Sequence, residues 1–200
     1  MMSTRTSRLG IAALLGLGIA AVLPNAYADS DFQTGTGALT ANTHLDFRIV
    51  IPKFLRFQVG STGTTVDLVE FQVPAANVGN GTPVARTNGG TVPILLQGNA
   101  GNISLVGTTI GSMNTGPAPT QTISYSEITS SSDNTNLNAP TLVDGASSAA
   151  ISITPNVGTQ VVNRTANWTF AYKNTNYVAA GTYGGVNVNN GRVTYTATLP

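Results

Sequence analysis

The side chains able to do chemistry are few and scattered. His44 is the only histidine among the 200 residues, and there is no cysteine. A catalytic relay or a zinc site needs an imidazole grouped with a nucleophile or with further ligands. A lone histidine opposite the apolar face of a strand reads as an exposed strand residue. The absence of thiols excludes thiol catalysis, Cys-based zinc sites and redox switching. Paired carboxylates are what remains, because glycoside hydrolysis needs only two. Glu70 and Glu127 are the candidates, with Asp46, Asp67 and Asp144 in support. Both glutamates sit beside an apolar residue, Phe71 and Ile128, in alternating runs where an outward charge is expected, and no aromatic-lined cleft can be inferred around them.

Asp133, Asn134, Asn136 and Asn138 form an oxygen-rich cluster. The EF-hand spacing fails, since no glycine at the sixth position or glutamate at the twelfth follows. Low-affinity calcium binding and a solvated polar loop both stay open there. Trp168, Phe170 and Tyr172 make an aromatic stripe, read either as core or as a sugar-stacking platform. Asn167, Thr169 and Lys173 on the opposite face favour core. The chain reads as a non-enzyme, with no catalytic residue, no cofactor and no metal ligand set.

Residues 1–28 read as a secretory signal peptide. Arg5 and Arg8 give the positive n-region, residues 9–23 an apolar h-region, and Ala26-Tyr27-Ala28 an A-x-A cleavage site after Pro24. The apolar run is too short to span a membrane, so no span is expected in the mature chain. Cleavage after Ala28 leaves 172 of the 200 residues, with seven basic against eight acidic side chains and a net charge of −1. That is one domain, large enough to bury roughly 70% of its unfolded surface. Nothing in it attracts nucleic acid. Only 8% of residues are charged, so the surface must be mostly Thr, Ser, Asn and Gly.

No stretch after the leader has a helical pattern; short alternating runs separated by turn clusters recur instead. A strand is expected over residues 39–59, with Leu45, Phe47, Ile49 and Ile51 on one face, His44, Asp46 and Arg48 on the other, and a bend at Pro52. A second is expected over residues 66–73, its phase slipping between Leu68 and Val69 as at a bulge. Residues 74–90 read as a loop with room for a short edge strand. Val92, Ile94 and Leu96 mark a strand whose turn leads into residues 103–106 as a hairpin. Further strands are expected at residues 122–128, 151–153 and 166–172, and residues 130–149 read as a flexible insertion. The sum is an all-β, two-sheet β-sandwich of about eight or nine strands.

The last run is the most regular. Val193, Tyr195, Ala197 and Leu199 alternate with Thr194, Thr196 and Thr198, the mark of a half-buried strand. Together with Ala180-Gly-Thr-Tyr183 before it, this segment resembles the close of bacterial fimbrial (pilin-like) subunits of the chaperone–usher type. Residues 184–190 stand as an insertion between the two parts. The sequence differs from that pattern in lacking a cysteine pair and in carrying Leu199 where a tyrosine is usual.

The resemblance implies an incomplete immunoglobulin-like sandwich, a periplasmic chaperone that pairs with the final strand, and a neighbouring subunit whose N-terminal extension later fills the gap. By that analogy Val193, Tyr195, Ala197 and Leu199 edge the acceptor groove. Residues 29–41 form the N-terminal extension ahead of a sandwich domain at 42–200. Gly35, Gly37, Leu39 and Ala41 share one strand phase as the donor. An unpaired sheet edge is an aggregation hazard, and a head-to-tail contact that does not close makes a filament.

The expected function is a structural subunit of a bacterial surface fimbria. Its partners would be copies of itself, a periplasmic chaperone and an outer-membrane usher, with passage through the periplasm to the cell surface. The alternatives are a stand-alone secreted β-sandwich that binds glycan or protein, and an exported hydrolase using Glu70 and Glu127.

Overall fold

The structure, a computed structural model, describes residues 29–63 and 65–200; the signal peptide expected at residues 1–28 lies outside the described residues. The chain divides into two units, Met1–Val50 and Ile51–Pro200.

In the first unit, residues 29–50 form no regular element. Asp29 Oδ2 lies 2.8 Å from His44 Nδ1, and Asp31 Oδ2 accepts the Asn42 N–H at 3.1 Å. These two contacts close residues 31–42 into a loop that bends at residues 36 and 37. Beyond it, residues 43–50 run without a turn or a ladder partner, and Leu45, Phe47 and Ile49 are 77%, 85% and 86% exposed.

Of the strand expected over residues 39–59, only the part after the bend forms, at Leu55–Val59, and Leu45, Phe47, Ile49 and Ile51 are not on a buried face. Alternation makes a strand only where a neighbour accepts its backbone hydrogen bonds. No described residue does so for residues 43–50.

The second unit is nearly all β, with ten strands among the described residues in three antiparallel sheets. They are β1 (Leu55–Val59), β2 (Val84–Ala85), β3 (Val92–Gly98), β4 (Ile103–Thr109), β5 (Met113–Asn114), β6 (Thr122–Ile123), β7 (Ile128–Ser132), β8 (Ile151–Ile153), β9 (Val162–Tyr172) and β10 (Val193–Thr198). The largest sheet is built around β9. Trp168 pairs with both Val92 and Ser132, and Tyr172 with both Val84 and Ile128. Hence β3 and β2 share one edge of β9 and β7 takes the other, with β1 outside β3. The second sheet runs β10-β4-β8, and β5 pairs with β6 alone.

Alternation sets the core. β9 buries Val162, Ala166, Trp168, Phe170 and Tyr172, and β3 buries Val92, Ile94 and Leu96. From the second sheet Ile103, Leu105 and Ile153 join the same cluster, so the two sheets enclose one core in a sandwich-like arrangement. The aromatic stripe of β9 is thus core rather than a sugar platform.

Four expectations are corrected in this unit. The first is the hairpin: β3 and β4 pair with different strands and lie in different sheets. A short turn serves a crossover as well as a hairpin, and alternation does not say which neighbour a strand takes. Secondly, residues 122–128 are not one strand. Ser124 Oγ accepts the Ser126 N–H and caps a 3₁₀ turn at Tyr125–Glu127 between β6 and β7.

Thirdly, residues 130–149 are not a loose insertion. Leu137 is fully buried, and its carbonyl accepts the Trp168 indole N–H at 2.9 Å. A polar composition hid one anchoring leucine. Lastly, residues 66–73 form no strand, for a reason that belongs to the site.

Candidate functional site

The C-terminal alternation is realised in β10, where Val193, Tyr195 and Ala197 are half-buried and Thr194, Thr196 and Thr198 are exposed. Tyr195, Ala197 and Leu199 pack on the core. The loop before β10 is drawn tight: a Cβ at Gly191 would run into the Gly185 backbone. One edge of β10 is laddered to β4, from Val193↔Thr109 to Thr198↔Ser104. Its other edge has no strand partner among the described residues.

Residues 66–73 show the same one-sidedness. Leu68 O accepts from Arg86 and Asn88 side chains, Glu70 N donates to Asn88 Oδ1, and Thr87 N donates to Glu70 O. Bonds of this kind at alternate residues leave the backbone of Val69 and Phe71 directed to the opposite side. No hydrogen bond among the described residues uses it. The segment fails to become a strand because scattered side chains and one backbone N–H, rather than a ladder, bond one edge and nothing among the described residues pairs with the other.

Residues of both segments line one groove of about 1360 Å³. Val66, Leu68, Val69 and Phe71 line it from one segment and Val193 and Tyr195 from the other, with the buried Phe170 and Tyr172 of β9 at its floor. The rings of Phe71 and Tyr172 lie with centroids 6.5 Å apart and planes tilted by 41°. The walls are mainly apolar, but two polar atoms in them are buried without a partner among the described residues, Tyr172 Oη and Arg192 Nε. Burial raises the Tyr172 phenol above its ordinary pKa, with Glu127 and Tyr183 adding to the shift. The arrangement can receive an extended segment whose backbone bonds two edges and whose side chains enter an apolar trough.

The other sequence candidates do not converge. His44 is exposed and bonded to Asp29. Glu127 accepts from Thr175, whereas Glu70 Oε1 accepts from Gln72. Asp133 binds the Asn167 N–H and side-chain amide, at 2.7 and 2.8 Å, which lowers its pKa. Asn134 Oδ1 is taken by the Asn136 N–H. Among the described residues no group of three His, Asp or Glu side chains could hold a metal. Gly35, Gly37, Leu39 and Ala41 are exposed, within the loop of residues 31–42.

Compared with protein-family models, curated proteins and solved structures, the chain matches none.

Residues 66–73 are what sequence reasoning missed as part of the site. Their signal was the broken phase at Leu68 and Val69, which accompanies a segment bonded along one edge by Arg86 and Asn88 rather than by a strand.

Proposed function

We propose that this chain is a structural subunit of a bacterial surface fimbria, polymerising by strand addition. The carrying observation is the groove itself, lined by residues of two segments, 66–73 and β10, each of which has one backbone edge without a strand partner among the described residues. In this reading the fold is an immunoglobulin-like sandwich lacking one strand. The lacking strand comes from the N-terminal region of a neighbouring copy, giving a heterologous contact that repeats without closing. Val193 and Tyr195 supply one wall of the acceptor, with Ala197 and Leu199 continuing the same face into the core. Before assembly a periplasmic chaperone would cover the groove, and an outer-membrane usher would pass the subunit outward. The signal-peptide-like leader and the low charge fit a structural role at the cell surface.

The test uses protein sheared from the native cell surface, run on a denaturing gel with and without boiling. A ladder of multimers that collapses to monomer on boiling is expected, because a strand held along both edges dissociates only when the sandwich unfolds. A single monomer band in every lane overturns the reading and leaves a stand-alone secreted module.

A further inference from the structure

We infer that the strand donated to a second copy is residues 45–51, with Leu45, Phe47, Ile49 and Ile51 as the side chains that enter the acceptor groove. This rests on the strand-addition reading above and names its donor. Four large apolar residues at alternate positions stand 75% to 86% exposed in consecutive turns of the pattern. An exposed apolar row of this length is unusual for a soluble surface and marks a contact surface.

The residues between them, Asp46, Arg48 and Val50, would remain on the outer face of a strand laid in the groove. Seven residues in strand geometry reach about 23 Å, similar to the eight-residue rim at 66–73. The run therefore has the length, the period and the apolar face that the groove accepts.

Residues 31–41 are less suited. The contacts Asp29–His44 and Asp31–Asn42 tie them into a bent loop, and a bend cannot bond two straight edges at once. Gly35 and Gly37 also have no side chain to fill an apolar trough. The same contacts leave residues 45–51 beginning just beyond the tie, without a ladder partner. The acceptor side offers matching chemistry. It has two unpaired backbone edges, an apolar wall of Val66, Leu68, Val193 and Tyr195, and the unpartnered Tyr172 hydroxyl, itself 5% exposed.

The experiment compares three full-length chains in the source cells: wild type, Phe47→Arg with Ile49→Arg, and Gly37→Arg with Leu39→Arg. All four positions are exposed, and a Cβ at Gly37 meets nothing within 4 Å, so each variant should fold, as circular dichroism of the purified monomer would show. The expected result is a heat-sensitive ladder for wild type and for the Gly37/Leu39 variant. The Phe47/Ile49 variant should give at least a tenfold loss of multimers. A ladder that survives Phe47→Arg with Ile49→Arg but is lost in the other variant overturns this donor while strand addition stands. A wild type that gives no ladder overturns both.

Discussion

The ring of Tyr195 in β10 packs on the indole of Trp168 in β9, centroids 5.3 Å apart and planes tilted by 56°. Through this pair the edge strand of one sheet is fastened to the central strand of the other, beside the groove. Tilted aromatic pairs of this kind add to the value of the buried area itself. Tyr195→Ala is expected to cost about 3 kcal/mol, a fall in Tm of roughly 10 °C. Thr196→Ala, on the outward face of the same strand, should stay within about 0.5 kcal/mol. Thermal melts of the two purified variants decide it, and equal losses would mean that β10 is not docked through its inward face.

Stability should fall in acid through a few identifiable carboxylates. The Asn167 backbone and side-chain N–H groups hold Asp133 below its ordinary pKa, and the Ser61 hydroxyl and N–H do the same for Asp67. A carboxyl whose folded pKa is depressed contributes stability above its unfolded value, about 3.9, and loses it as pH falls through the folded value. Tm should therefore be level from neutral pH to about 5 and decline below about 4. Asp133→Asn combined with Asp67→Asn should flatten that decline, and an unchanged slope in the double variant would assign it to other groups.

Alternation made the main strands legible from residues alone: β9 and β10 lie where Trp168, Phe170 and Tyr172, and Val193, Tyr195 and Ala197, said they would. Two things were hidden. Which strand neighbours which is a long-range property, so β3 and β4 read as a hairpin although they belong to opposite sheets. The second is completeness. Leu45, Phe47, Ile49 and Ile51 have the same period as a core strand, and period alone does not say whether a neighbour is there to pair with such a run. The β10 side of the groove was readable for that reason, whereas the residues 66–73 side was not, its edge being held by Arg86 and Asn88 side chains.

The loop that feeds β10 depends on one residue without a side chain. A methyl group at Gly191 would meet the Gly185 backbone, which has no flexible end to move aside. Gly191→Ala should therefore push residues 184–191 apart and cost about 1–3 kcal/mol, with β10 more mobile at its start. Hydrogen exchange at Val193 and Thr194 should accelerate relative to β9. Unchanged protection there, with an unchanged Tm, would show that the turn relaxes without disturbing the strand.

Tyr172 separates the needs of the isolated chain from those of an assembled one. Its hydroxyl is buried in the groove wall with no partner, and an unsatisfied buried polar group is a cost that its removal relieves. Tyr172→Phe should leave the monomer's stability unchanged or raise it by up to about 1 kcal/mol. If a donated strand supplies that hydroxyl with a backbone partner, the same substitution should lower the temperature at which the multimer ladder collapses. Melts of monomer and heat-step gels of fibres measure the two effects separately. A Tyr172→Phe monomer that is clearly less stable would mean the hydroxyl already has a partner within the chain, and its claim on an incoming strand would lapse.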